Sequence, residues 1–267
     1  MSTTKIALVT GASSGFGQLT AARLAASGYR VFGTSREPQT SSAPGVEMLV
    51  LDVCSDESVQ TCAAELLRRV DRLDVLVNNA GQAHASLAEE TGPAQARDVL
   101  ETNFWGAVRV INAVLPTLRK QRSGHIINVS SLAGLLGTPG QAFYSASKFA
   151  LEGYSEALSI ELQPFNIHVS LIEPGFFNTG LHASPAPFDR QIPDYDRLRS
   201  AIETSVRQSI AQGGDPQAVA EAIVRVAASR SPKLRTRVGS DAVWVPRLKA
   251  IVPSAMFNAQ MRKRFGL

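Results

Sequence analysis

The chain is predicted to be α/β: one doubly wound parallel sheet of about seven strands with helices on both faces. Three features predict it. Short apolar runs alternate with stretches of helical length along nearly all of the 267 residues. The first of these runs leads directly into a glycine-rich turn and a helix. The composition, 44% hydrophobic and 19% charged, supplies enough apolar surface for a large core. Helices between strands enforce right-handed crossovers, and such crossovers cover both faces of a parallel sheet.

Residues 5–10 (KIALVT) read as a buried strand, and 15–27 as a helix with Leu19, Ala22 and Ala26 at three- and four-residue spacing. Strands follow at 30–34 and 47–51. Ser55 is placed to cap a helix over 55–70. A strand at 74–77, a long helix at 96–120, a strand at 125–129, a helix at 144–163 and a strand at 168–172 continue the alternation. Asp215 as cap and Pro216 at the first helical position open a helix over 215–229. A short strand at 234–238 ends the series. The stretch from 176 to about 195 is rich in Gly, Pro and Ser and reads as irregular. A loop that long is usually functional, so a lid is expected over about 176–212; a disordered surface loop is the competing reading. Neither repeat nor linker interrupts the chain, so 1–267 reads as a single domain with a short C-terminal extension over about 240–267.

The net charge of +4 is unevenly placed. From Arg230 to Leu267 there are nine Lys or Arg against one acid, Asp241, so the first 229 residues carry −4. A solvated helix face is the plain reading of that tail, and a membrane-surface or acidic-partner contact is the sharper one. No nucleic-acid partner is expected. No run of 18 apolar residues occurs, so no transmembrane segment is expected, and the first strand follows Met1 too closely for a signal peptide. Cys54 and Cys62 read as free thiols, which with the other features suggests a cytoplasmic protein. The four histidines show no ligand spacing, so no metal is expected.

Between the first strand and helix lies TGASSGFG (10–17). Gly11 lets the chain turn, Gly15 lets backbone approach a pyrophosphate, and Gly17 lets helix and strand pack. Ser13, Ser14 and Phe16 stand among them. The helix N-terminus offers free N–H groups to the anion. An acid at the end of the second strand would grip a ribose hydroxyl; here that strand ends Thr34, Ser35, Arg36. A guanidinium there pairs with a 2′-phosphate, with Ser35 as a further donor. The cofactor reading is therefore NADP(H), with NAD(H) the weaker alternative.

Tyr144 and Lys148 are four apart, one turn of a helix. A phenol titrates near 10, and a neighbouring ammonium favours its ionised form. Ser131 follows a strand whose C-terminal end points toward the cofactor crevice. Its hydroxyl can hold a carbonyl oxygen on which charge develops. Asn103 sits mid-helix, where Asn is disfavoured without a partner for its side chain.

On these motifs the chain resembles the short-chain dehydrogenase/reductase family, which has a Rossmann-type sheet. The likeness runs from TGASSGFG (10–17) through Asp52 and Val53, NNAG (78–81), Asn103, Ser131, YSASK (144–148) and PGFFNT (174–179) into the tail. It implies a catalytic tetrad of Asn103, Ser131, Tyr144 and Lys148. Tyr144 would exchange a proton with the substrate oxygen, and Ser131 would hold that oxygen. Lys148 would lower the tyrosine pKa and bind the nicotinamide ribose. Asn103 would support a water linking Lys148 to solvent. The resemblance further places Asp52 and Val53 at the adenine, Asn79, Ala80 and Gly81 along the cofactor, and Pro174, Gly175, Phe177 and Thr179 around the nicotinamide. It implies a homodimer or homotetramer, and the tail resembles that of hydroxysteroid- and retinol-dehydrogenase-like members.

Lys148 is the only Lys or Arg between Ser123 and Asp189. A carboxylate or phosphate on the substrate would want another, so the expected substrate is an uncharged, lipophilic ketone, aldehyde or secondary alcohol. Leu132, Leu135, Phe143, Phe176, Phe177, Leu181 and Phe188 are the candidate lining. The alternatives are a 3-ketoacyl-carrier reductase and a non-catalytic dinucleotide-sensing protein on the same fold.

Overall fold

A computed structural model describes residues 4–41, 43–83, 85–178 and 190–265. One sheet of seven strands runs through it in the order β3-β2-β1-β4-β5-β6-β7, every neighbouring pair parallel. The strands are β1 (Ile6–Val9), β2 (Arg30–Ser35), β3 (Val46–Val50), β4 (Val75–Asn78), β5 (Gly124–Val129), β6 (Ile167–Pro174) and β7 (Arg235–Val238). The doubly wound parallel sheet read from the sequence is the one observed.

Alternation along each strand divides the core in two. Ile6, Leu8, Leu76 and Ile126 face one layer, filled by α2 (Asp56–Arg69), α4 (Gly106–Gln121) and α5 (Ala142–Glu161). Ala7, Val9, Val77 and Ile127 face the other, filled by α1 (Gly15–Ala26) and α7 (Gln217–Ala228). The predicted cap at Ser55 forms, while α7 begins one residue later than expected, with Pro216 at its cap position and Asp215 just outside it. The Ser55 hydroxyl accepts from Ser58 N at 3.2 Å, and Asp215 Oδ1 accepts from Gln217 N at 2.9 Å.

The helix expected over 96–120 is three pieces: α3 (Pro93–Leu100), a π-helical turn (Glu101–Trp105) and α4. The wider turn carries Asn103, whose inward side chain finds partners there. After residues 179–189, which lie outside the described region, a 3₁₀ turn (Pro193–Tyr195) leads into α6 (Asp196–Ala211). The expected lid span therefore contains a regular helix. Ile202 and Val206 of α6 are four apart and bury against Phe265. Two further helices, α8 (Ser240–Ile251) and α9 (Ser254–Arg264), occupy the C-terminal extension. Among the described residues, no helix is long and apolar enough to cross a membrane.

Chain direction reverses between β1 and β4, because β2 and β3 lie to one side and β5 to β7 to the other. Connections leaving that edge diverge, and a crevice opens at the strand C-termini.

Candidate active site

The glycine turn forms a cradle at the crevice. Gly11 and Gly15 adopt φ of +64° and +54°, conformations that side chains disfavour. A Cβ on Gly17 would stand 2.1 Å from the Gly11 carbonyl oxygen, so only glycine lets α1 sit this close to β1. Thr10 and Asn79 tie the cradle to the end of β4. Asn79 Nδ2 donates to the carbonyls of Thr10 (3.0 Å) and Gly11 (3.1 Å), and the N–H groups of Asn79 and Ala80 donate to Thr10 Oγ1. The N-terminus of α1 carries no side-chain cap. Its free N–H groups and the bare glycine backbone suit a pyrophosphate.

A cleft of about 430 Å³ runs from this cradle. Gly11, Ser13, Ser14, Gly15 and Phe16 line one wall, and Ser35, Arg36, Asp52 and Val53 the far end. Asn79, Ala80 and Gly81 line its length, and Tyr144 and Lys148 its near end. Asp52 Oδ1 accepts from Cys54 N at 2.9 Å, which fixes that loop. Volume and lining fit a nicotinamide dinucleotide. Gly17 lies beneath the cradle and not in the cleft, which matches its packing role.

A second, smaller hollow of about 60 Å³ adjoins the cleft. Pro174, Gly175 and Phe177 line this hollow and not the cleft, with Ser131, Leu132 and Phe176. Phe177 also packs edge-on against Phe16, ring centres 5.6 Å apart. Among the described residues, no charged side chain lines the hollow. Phe16, Ser130 and Tyr144 border both spaces. Thr179, with Leu181 and Phe188, lies outside the described residues.

Tyr144 and Lys148 occupy successive turns of α5, both buried. Lys148 Nζ donates to the Val129 carbonyl at 2.9 Å. Burial pushes the Lys148 amine down to about 8, against an opposing pull from the Glu152 carboxylate. Burial likewise raises the Tyr144 phenol, while its hydrogen bond with the Ser131 side chain lowers it. Removal from water is the larger of the two effects on the phenol. Ser131 Oγ also accepts from Ala133 N at 3.1 Å, which orients it at the start of the 3₁₀ turn Leu132–Gly134.

Asn103 makes no direct bond to Lys148. Its Nδ2 donates to Gln82 O (2.9 Å) and Ser147 Oγ (3.1 Å), and its Oδ1 accepts from Gln82 N (2.8 Å). The Ser147 hydroxyl in turn donates to Tyr144 O at 2.7 Å. Asn103 therefore fastens the loop after β4 to the helix that bears the tyrosine. Sequence reasoning missed Thr10, Ser147 and Asp241. The Asp241 carboxylate accepts from Phe176 N at 2.8 Å, and a Cβ on Gly175 would fall 1.9 Å from it. Its only signal was its standing as the sole acid of the basic tail.

A parallel sheet with a glycine-cradled crevice at its reversal point, and a Tyr–Lys pair beside it, defines a dinucleotide-dependent α/β enzyme class. Residues 5–188 match the family model described as short chain dehydrogenase, and the chain belongs to that family of oxidoreductases. A 3-ketodihydrosphingosine reductase of Bacteroides thetaiotaomicron is 40% identical over 262 residues, 97% of each chain. Among solved structures, a short-chain dehydrogenase from Streptomyces avermitilis superposes with a TM-score of 0.85 at 36% identity, covering 100% of this chain and 99% of its own. A Burkholderia phymatum member in complex with NAD superposes at 0.80 with 25% identity, covering 92% and 93%.

Proposed function

We propose that this protein is an NADP(H)-dependent reductase of an uncharged, lipophilic ketone or aldehyde, able to run in reverse on the secondary alcohol. The observation that carries this reading is the shared position of Tyr144. Its side chain borders both the dinucleotide cleft and the uncharged hollow. The dinucleotide, when bound, supplies or accepts the hydride. Arg36 is exposed at the cleft mouth beside Ser35 and is the cation placed to pair with a 2′-phosphate. The α1 N-terminus holds the pyrophosphate, and Lys148 serves the nicotinamide ribose. A carbonyl in the hollow is oriented by the Ser131 hydroxyl and takes its proton from the Tyr144 phenol, which burial keeps protonated. Asn103 positions the tyrosine through Ser147.

The hollow supports the substrate class. Among the described residues its lining holds aromatic, aliphatic, hydroxyl and amide groups and no cation for a carboxylate or phosphate. The Bacteroides relative is named for a keto substrate, which supports a carbonyl as the reacting group. The outer faces of α4 and α5 are the surfaces on which the family likeness puts a homodimer or homotetramer contact, and a cytoplasmic location fits two free thiols. Following NADPH absorbance against a panel of ketones and aldehydes tests the whole reading. Turnover of apolar ketones with a lower KM for NADPH than for NADH is expected. A clear preference for NADH, or for acyl-carrier or phosphorylated ketones, overturns it.

A further inference from the structure

Helices α8 and α9 line neither the cleft nor the hollow. Their inner faces have structural partners: Phe265 and Met261 pack with Ile202 and Val206 of α6, and Ala242 is buried. Their outer faces are unusual for a surface that meets only water. Trp244, Leu248 and Ile251 are 65%, 47% and 80% exposed. Spaced at i, i+4 and i+7, they form one stripe along α8. Met256, in the first turn of α9, is likewise 61% exposed.

Beyond Asp241 the charges of this segment have one sign. Arg247 stacks over the Trp244 ring, 5.2 Å from its centre. Lys249, Arg262, Lys263 and Arg264 are exposed nearby in the chain, and no Asp or Glu occurs from residue 242 to 267. Among the described residues, none of these five cations is in an ion pair; Lys249 bonds the Leu135 carbonyl and Arg264 the Ser209 hydroxyl.

A second copy of the chain is a poor occupant, since symmetric pairing would set each cationic rim against its twin. An anionic bilayer is complementary on both counts. Its acyl boundary accepts aliphatic side chains, its headgroup layer accepts an indole, and its phosphates attract Lys and Arg on flexible stems. We infer that the outer face of α8 and α9 is a reversible docking surface for an anionic phospholipid bilayer. Lys249 fastens α8 to Leu135, next to the 3₁₀ turn that walls the hollow. A docked bilayer therefore lies on the substrate side of the molecule. That last consequence rests on the proposed lipophilic substrate; the docking itself does not.

The test is co-sedimentation of the full chain with phosphatidylcholine vesicles, with and without phosphatidylglycerol, which reads binding without any turnover. The protein is expected to pellet with the phosphatidylglycerol vesicles, to be released by high salt, and to bind pure phosphatidylcholine weakly. Replacing the stripe (Trp244→Ser, Leu248→Ser, Ile251→Ser) should weaken binding at least about tenfold with an unchanged melting temperature. Replacing the rim (Arg247→Gln, Arg262→Gln, Lys263→Gln) should abolish the preference for anionic vesicles, and this variant decides the matter if the first fails to fold. Absence of pelleting, or pelleting that both variants retain, overturns the inference. So does light scattering in which the stripe variant falls to a smaller oligomer than the parent, because the stripe would then be a subunit contact. Binding to an acidic peptide but not to vesicles would overturn it equally.

Discussion

The ammonium of Lys148 stands 5.8 Å from the centre of the Tyr144 ring, one helical turn away, with both side chains buried. Water is therefore a poor competitor for either group, and the phenol stays protonated at neutral pH until a partner stabilises its anion. Removing only the hydroxyl leaves the ring packed against Val99 and Ala133. Tyr144→Phe is expected to lower kcat by about 10²- to 10⁴-fold, the usual weight of a general acid. Dinucleotide affinity, read by fluorescence titration, should barely change. A near-parental kcat would remove Tyr144 from the mechanism.

The Lys148 amine, brought down to about 8, loses its proton within the working range of an alkaline assay. Glu152, on the next turn of α5, is the carboxylate that opposes this loss. In the reductive direction kcat/KM should fall as pH rises through about 8, because the positive charge beside the phenol disappears. Lys148→Arg keeps the charge at every accessible pH and should move this limb upward, even if its longer fork lowers the plateau. A profile that stays flat to about pH 10 in the parent would contradict the assignment.

The same lysine should be a burden on stability. Its folded amine releases its proton near pH 8 and its unfolded amine near 10.5. Between those values the unfolded chain binds more protons, so stability rises with pH across that window. Below pH 8 the full difference, about 3 kcal/mol, weighs against folding. Lys148→Met should therefore be inactive yet more stable at pH 7, by about 1–3 kcal/mol once the orphaned Val129 carbonyl is counted. Urea unfolding at pH 7 and pH 10 measures it, and the gain should shrink at the higher pH. A destabilised variant at pH 7 would show that the Lys148–Val129 bond outweighs the desolvation.

Arg36 carries the cofactor choice in the proposed function. Arg36→Ala should raise the KM for NADPH by about 10- to 100-fold, the worth of a charge-assisted pair, and leave that for NADH nearly unchanged. Equal effects on both cofactors would mean that the guanidinium contacts a part they share.

Legibility followed burial. Strands covered on both faces read as continuous apolar runs, as in β1 and β4, whereas β7 (Arg235–Val238) was read from its place in the alternation and the strand order had no signal of its own. The cradle was visible because close backbone approach leaves no choice but glycine. Asn103 announced itself as an Asn in a helix, although the π-helical turn that turns it inward had no signal of its own. Helix α6 went unread despite Leu198, Ile202 and Val206 at four-residue spacing, because an irregular segment precedes it and its apolar stripe is narrow. Asp241 was opaque for a different reason. Its partners are backbone N–H groups, including that of Phe176, and backbone leaves no residue signature.

A buried ion pair also fixes the position of α6. Glu90, fully buried in the 3₁₀ turn Ala88–Glu90, accepts from Arg199 Nε at 3.0 Å and from Ile192 N at 2.8 Å. Arg199 belongs to the first turns of α6 and also bonds Asp196. From the same helix Ile202 reaches Gly140, where a Cβ would meet its Cγ2 at 2.5 Å, and the next residue, Gln141, lines the hollow. Glu90 is thus the anchor that keeps α6 against the substrate rim. Glu90→Gln preserves shape and removes the charge, so Arg199 loses its buried carboxylate partner. The helix should then open more often. Hydrogen exchange should quicken in α6 while amides of β1, β4 and β5 keep their protection. The KM for ketone should rise with little change in the KM for dinucleotide, because the cleft does not touch α6. Uniformly faster exchange through the sheet would instead make Glu90 a contributor to global stability and not to the substrate rim.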